Sequence, residues 1–282
     1  MKETGAGPIL LVGAGRMGGA LLKGWLAQGV AADRIFVQEP ALADDVAALI
    51  RDAGVGMGTP PAPAVLFLAV KPQAMEEVLP SLAAVTGPDT LVVSIAAGTT
   101  IASIGRHFAS DTAIVRAMPN TPAAIGRGIT ALYANALVQP EQRDACARLL
   151  GAVGETVWIA DEAQMDAVTA LSGSGPAYVF LLAECMAQAG EAAGLAPDLA
   201  AKLARATVSG AGELLRLSDL DPAELRRNVT SPGGTTAAAL RVLMGETENG
   251  GSGPNDGSGP LETILREAIA AAARRSRELA GG

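Results

Sequence analysis

Apolar residues fall in short unbroken runs through the first half of the chain and at helical spacing through the second. Residues 9–12 (ILLV), 65–70 (VLFLAV), 91–95 (LVVSI) and 113–117 (AIVRA) lack the alternation of a half-solvated strand. Such runs suit strands buried on both faces of a parallel sheet. Residues 34–38, with Ile35, Phe36 and Val37 at the centre, make a fifth candidate strand. Between the runs, 20–28, 44–53 and 99–108 read as helical, with Val46, Leu49 and Ile50 on one face of the second. Strands alternating with helices predict βαβ units, a mostly parallel doubly wound sheet and right-handed crossovers.

Beyond about residue 160 the β-branched runs nearly vanish. Residues 178–193, 199–217, a stretch starting near 237, and 261–277 read as Ala- and Leu-rich helices. Leu261, Ile264, Leu265, Ala268, Ile269 and Ala272 follow the i, i+3, i+4, i+7 rule. Arg274, Arg275 and Arg277 stand in the last turns, where cations suit the helix dipole. The chain therefore divides into an α/β domain at 1–160 and an all-α domain at 161–282. Small residues in the second domain permit close helix approach and suit a subunit interface. Segment 245–260 (GETENGGSGPNDGSGP) has no apolar side chain beyond its prolines and is expected to be a mobile surface loop. Its composition cannot offset the entropy of ordering.

Composition agrees with two domains in 282 residues. Aromatics are only 3%, so Ala, Val and Leu must fill the core. The formal charge is −8 and no basic run stands out, which argues against nucleic-acid binding and membrane docking. Cys146 and Cys185 form no CxxC pair and read as small buried hydrophobes in a reducing compartment. The single histidine, His107, reads as a surface residue and cannot build a His-based metal centre, so no metal is expected. Trp25 and Trp158 read as packing residues. The N-terminal apolar run is too short for a signal segment, and no run suits a membrane span; a cytoplasmic protein is expected.

The chemistry begins at Gly13-Ala14-Gly15-Arg16-Met17-Gly18, between a candidate strand and a candidate helix. Gly13 suits the tight turn, Gly15 the approach of a pyrophosphate, and Gly18 close helix–strand packing. The helix N-terminus adds free N–H groups and partial positive charge. This reads as a dinucleotide loop; the alternative is a glycine-rich turn with no ligand. Glu39 ends the second candidate strand, where a carboxylate accepts ribose hydroxyls and repels a 2′-phosphate. It favours NADH over NADPH, unless it is merely a solvated acid. Val70, Lys71 and Pro72 end one strand and residues 94–98 (SIAAG) another on the same edge, where small residues let a nicotinamide approach. Lys71 is either a catalytic cation or a solvated loop lysine.

Six stretches carry a resemblance: GAGRMGGAL (13–21), FLAVKPQ (67–73), VVSIAAGTTIASI (92–104), RAMPNTPA (116–123), DAVTALSGSGPAYVF (166–180) and NVTSPGGTTAAAL (228–240). With these the chain resembles the pyrroline-5-carboxylate reductase family across nearly its whole length. The resemblance implies an N-terminal Rossmann domain and an all-α C-terminal dimerisation domain. It implies a homodimer with the active site near its interface, and higher rings such as decamers. The implied reaction reduces the cyclic imine of L-1-pyrroline-5-carboxylate to L-proline with NADH or NADPH. Position by position, Val12 to Met17 (with Ala14, Gly15 and Arg16) would bind the pyrophosphate, and Glu39 takes the adenosine-ribose or 2′-phosphate position. Ala69, Val70, Lys71 and Pro72, with Ile95, Ala96 and Ala97, would line the nicotinamide half. Glu162, Asn228, Thr235 and Thr236 match substrate-contacting positions, and Ser231 with Gly233 and Gly234 would cradle the carboxylate.

A glycine-rich turn before a helix suits a carboxylate. Thr236 is the family's candidate for hydrogen-bonding the ring nitrogen. Imines take a proton from solvent, so hydride transfer needs no strong protein acid. On structural grounds alone, Thr235 and Thr236 could be helix caps, Glu162 a first-turn acid, and SGSGPAY a cap with Pro176 near the helix start. Segment 55–64 is shorter than usual and lacks the family's adenosine-side asparagine, and 245–260 lengthens a normally short connection. Rival readings are a related imine or β-hydroxyacid reductase and a non-catalytic dinucleotide-binding protein. The first usually carries a lysine on the helical domain; here that domain has only Lys202, outside any motif.

Overall fold

The computed structural model describes residues 7–245 and 259–280. They form two compact units, residues 7–174 with 273–280, and residues 175–245 with 259–272. The segment expected to be a mobile loop lies, from 246 to 258, outside the described residues.

The first unit is an eight-stranded sheet: β1 (Ile9–Val12), β2 (Ile35–Gln38), β3 (Gly56–Met57), β4 (Val65–Leu68), β5 (Leu91–Ser94), β6 (Ala113–Met118), β7 (Gly128–Ala134) and β8 (Gly154–Trp158). Strand order is β3-β2-β1-β4-β5-β6-β7-β8. All pairs are parallel except β6–β7. The chain winds outward from β1 in one direction, then returns to its other side, so the switch point falls between β1 and β4. The helices are α1 (Arg16–Ala27), α2 (Asp44–Ala53), α3 (Met75–Ala83), α4 (Ile101–Gly105), α5 (Pro140–Leu150) and α6 (Met165–Val168).

Every residue of β1, β4 and β5 is buried, as their unbroken apolar runs predict. Successive side chains point to opposite faces. Ile9, Leu11, Phe67 and Val93 join Leu21, Leu22 and Trp25 of α1, Val46 and Ile50 of α2, and Cys146 and Leu150 of α5. Leu10, Val12, Leu66, Leu68 and Val92 join Met75, Leu79 and Leu82 of α3 and Ile104 of α4. Trp25 is the largest fully buried side chain. Its Nε1–H donates to the Leu149 carbonyl at 2.8 Å, and its ring meets Phe67 at a centroid distance of 4.9 Å.

Several expectations are corrected. β7 and β8, with the two-residue β3, extend the sheet beyond the five candidate strands; β7 turns back on β6 without a crossover helix and is therefore antiparallel. Their sequences, GITALYA and GETVW, carry exposed positions that break up an apolar run. α1 begins at Arg16 rather than residue 20, because Gly18 and Gly19 are used inside it for close packing. His107 is not a surface residue: its side chain is 15% exposed, with Nε2 3.5 Å from Glu76. Cys146 is buried and burial pushes its thiol up to about 12, but Cys185 is exposed on the chain.

The second unit holds α7 (Gly175–Ala192), α8 (Pro197–Leu217), α9 (Pro222–Asn228), α10 (Thr235–Met244) and the first turns of α11 (Pro260–Ala280). α7 and α8 form a hairpin in which Gly190 lies against Ala200. Asp221 caps α9 by accepting the Glu224 N–H at 2.7 Å. No residue of α7 is buried in the single chain, and Val179, Phe180, Leu181 and Leu182 are 47–67% exposed. A helix this apolar needs cover from another surface. The last turns of α11 belong with the first unit, where the buried Ser276 hydroxyl donates to Asp166 at 2.6 Å.

Replacing Trp25 with Ala should lower the unfolding free energy of the first unit by about 3–5 kcal/mol. Urea denaturation followed by circular dichroism measures it; a loss under about 1 kcal/mol would mean that the core can collapse around the void.

Candidate active site

The glycine loop sits at the carboxyl end of β1, beside the loop after β4. Gly13 has φ +95°, and a Cβ there would lie 2.7 Å from the Ala69 backbone. A Cβ on Gly18 would overlap the Gly13 carbonyl oxygen. These positions admit only glycine without a backbone shift. Gly15 differs: nothing lies within 4 Å of its Cβ direction, and it is exposed. Gly15 is the N-cap of α1, with no side-chain cap and no acid in the first turn. Val12, Gly13, Ala14 and Gly18 are buried, Met17 is half-buried and Arg16 is exposed. An open approach to uncapped helix N–H groups fits the pyrophosphate of a dinucleotide.

Glu39, just past β2, bonds directly to this loop. Its Oε2 accepts the Ala14 N–H at 3.0 Å and its Oε1 the Ala41 N–H at 3.0 Å. The acid is thus held in place by two backbone donors rather than left loose in solvent. Beside it, the Thr59 hydroxyl donates to Gln38 at 3.2 Å, within the short 55–64 segment. Asp44 and Asp45 follow at the start of α2. Lys23, 2.8 Å from Asp45, holds that carboxyl below the usual range.

The nicotinamide-side candidates continue the same edge. Ala69 N–H donates to the Val12 carbonyl at 2.8 Å, and Ile95 N–H to the Leu68 carbonyl at 3.0 Å. Ala96 is buried and donates to Ser94 Oγ; Ala97 is exposed. Lys71 is exposed at the N-cap of a 3₁₀ turn, with Pro72 next. Strand order β2-β1-β4-β5 therefore brings Glu39, the glycine loop, 69–72 and 95–97 onto one rim.

Glu162 starts a 3₁₀ turn and is tied to Arg116 and to the Ile101 N–H, so it is more than a first-turn acid. Arg116 is not among the sequence candidates; its only signal there is a charge inside the apolar run AIVRA. In the second unit Asn228 ends α9 and is exposed. The Gly234 N–H donates to the Ser231 carbonyl at 3.0 Å, with Gly233 at φ +70°. α10 begins at Thr235, two residues before the expected start, with Gly234 as N-cap and no side-chain cap. Thr235 and Thr236 are thus the first helical residues rather than caps, and their hydroxyls are not spent on capping this helix. Pro176 stands at the second position of α7, following a wide helical turn over Thr169–Gly173. Lys202 is exposed on α8. Among the described residues no cluster of His, Cys, Asp and Glu could hold a metal, and no helix is long and apolar enough to cross a membrane.

Comparison with known proteins adds the family. Residues 162–279 match the model described as pyrroline-5-carboxylate reductase dimerisation, and residues 8–98 the model described as NADP oxidoreductase, coenzyme F420-dependent. The pyrroline-5-carboxylate reductase of Pseudomonas aeruginosa is 43% identical over 277 residues, covering 96% of each chain. The chain belongs to the pyrroline-5-carboxylate reductase family. The reductase of Mycobacterium tuberculosis is 36% identical, over 98% of this chain and 97% of that one. The solved pyrroline-5-carboxylate reductase of Coxiella burnetii superposes with a TM-score of 0.85 at 34% identity, covering 97% and 98% of the two chains. The Plasmodium falciparum enzyme, solved with NADP bound, gives 0.78 at 26% identity over 98% and 99%.

Gly18→Ala should weaken dinucleotide binding at least about tenfold, or about 1.4 kcal/mol, by pushing α1 away from the Gly13 carbonyl. Nicotinamide fluorescence titration reads the affinity and circular dichroism the helix content. Unchanged affinity would remove this packing from the binding site.

Proposed function

We propose that the protein reduces the cyclic imine L-1-pyrroline-5-carboxylate to L-proline, with NADH or NADPH as hydride donor, as the last step of proline synthesis. The reading rests on the match, over 96% of the chain, to a reductase of that name. The local geometry supports it. The 231–234 turn and the uncapped start of α10 offer backbone N–H groups to the substrate carboxylate. Thr236 donates to or accepts from the ring nitrogen, with Thr235 and Asn228 as further contacts. By the family resemblance, Glu162 is a further contact for the cationic imine.

The dinucleotide, when bound, supplies the hydride. The protein binds and orients both reactants and keeps water out, while the imine proton comes from solvent. That division of labour suits a chain with a single histidine, which lies beside Glu76.

NADH is the preferred donor in this reading. The Glu39 carboxylate, fixed by Ala14 and Ala41 N–H groups, accepts ribose hydroxyls and repels a 2′-phosphate. The exposed apolar face of α7 and the exposed Leu203, Leu214 and Leu217 of α8 support a homodimer as the working unit. We place the enzyme in the cytoplasm.

Loss of reduced-nicotinamide absorbance with racemic pyrroline-5-carboxylate tests the activity; turnover with neither NADH nor NADPH would overturn it. The kcat/KM for NADH should exceed that for NADPH by about tenfold or more, corresponding to about 1.4 kcal/mol. Glu39→Ser should narrow that ratio by raising NADPH use. A wild-type preference for NADPH would discard the electrostatic reading and leave the reaction standing. Thr236→Ala should lower kcat/KM for the imine by about 10–100-fold, the loss of one hydrogen bond to a charged group. Its NADH affinity should stay the same, and an unchanged kcat/KM would remove Thr236 from the mechanism.

A further inference from the structure

Arg116 sits in β6 with β5 on one side and β7 on the other; its register partners are Ser94 and Tyr133. The residue is 4% exposed. A guanidinium at that depth needs a counter-charge and hydrogen-bond acceptors. Glu162 provides them, with Oε1 3.1 Å from Nη1 of Arg116. The same oxygen accepts the Ile101 N–H, at 2.8 Å. Two donors from separate elements, β6 and the start of α4, therefore converge on one carboxylate oxygen. The other oxygen, Oε2, has no hydrogen bond or ion pair among the described residues. The Glu162 side chain keeps 24% exposure despite the pairing, and this second oxygen is the one not used by Arg116 Nη1 or Ile101.

Arg116 is the last register position on the β5 side and an inner one on the β7 side, and the strand pairing holds its backbone without help from Glu162. The pair's effect falls on Glu162 itself, the first residue of the turn that leads into α6. Charge-assisted donation from a rigid strand fixes both the position and the plane of a carboxylate. We propose that Arg116 is a positioning residue for the reaction: it holds Glu162 by one oxygen so that the other meets the cationic imine. The inference rests on the reading of Glu162 as a substrate contact.

The test uses the full-length enzyme and four variants: Arg116→Met, Arg116→Lys, Glu162→Gln and the Arg116→Met/Glu162→Gln double. Steady-state kinetics with pyrroline-5-carboxylate are read alongside NADH affinity and Tm. Arg116→Met should lower kcat/KM for the imine at least about tenfold, while NADH affinity stays within about twofold. Arg116→Lys, which keeps a cation, should recover a large part of that loss. The double variant should be no worse than Glu162→Gln alone, because Arg116 acts only through Glu162. Multiplying losses in the double variant would overturn the proposal. So would an NADH affinity that falls in parallel with imine turnover, the mark of a purely structural role. Should Arg116→Met fail to fold, the Arg116→Lys/Glu162→Gln cycle decides by the same criterion. Normal kinetics in Glu162→Gln would sink the substrate-contact reading, and this proposal with it. Impaired Glu162→Gln beside a silent Arg116→Met sinks this proposal alone.

Discussion

Three backbone segments meet at Gly13, and the rest of the first unit is arranged around that approach. The turn after β1 runs against the Ala69 backbone with no room for a Cβ, and α1 starts against the Gly13 carbonyl at Gly18. Close packing here sets the helix N-terminus at the switch point between β1 and β4. The Val12 carbonyl then receives the Ala69 N–H, and the Leu68 carbonyl the Ile95 N–H, so successive loops follow the same rim. Glu39 closes the other side through Ala14. The glycine loop, Glu39 and two small-residue strand ends share one edge because the strand order demands it. None of them needs a long side chain to reach the others.

The second unit is governed by an opposite circumstance. It has more apolar surface than its own chain can cover. α7 carries Val179, Phe180, Leu181 and Leu182 in sequence, and each is at least 47% exposed. The hairpin with α8 buries chiefly small residues, Ala200 and Ala204. Small side chains let helices approach closely but leave little area to bury, so the larger ones remain for another surface. Membership of a family whose model for this region is described by dimerisation accords with that imbalance.

Much of the fold was legible because burial on both faces writes a continuous run. β1, β4, β5 and β6 could be read as such, and α2 matched from Asp44 to Ala53 because one face is apolar and Gly54 ends it in a left-handed conformation. β7 and β8 were not legible, since strands toward an edge mix exposed and buried positions. α1 was read too short because glycine is a poor helix former, and only the neighbour it packs against explains its use at Gly18 and Gly19. His107 and Cys185 were misplaced for a related reason: exposure depends on what lies opposite, and local pattern does not record it.

The candidate site divides the same way. Gly13 to Gly18 and the 231–236 turn carry their chemistry in adjacent residues, so sequence by itself determined their type, their order and their place between elements. Local backbone geometry and helix periodicity act over a few residues and are written in those residues. The pairs Ala14–Glu39 and Arg116–Glu162 are 25 and 46 positions apart, and their members became neighbours only when strand order was settled. Tertiary structure also decided that Glu39 is a fixed acceptor rather than a loose acid, and that one oxygen of Glu162 receives donors from both β6 and α4. Such facts depend on which donor arrives from another strand, and the chain specifies that only through the packing of the whole sheet.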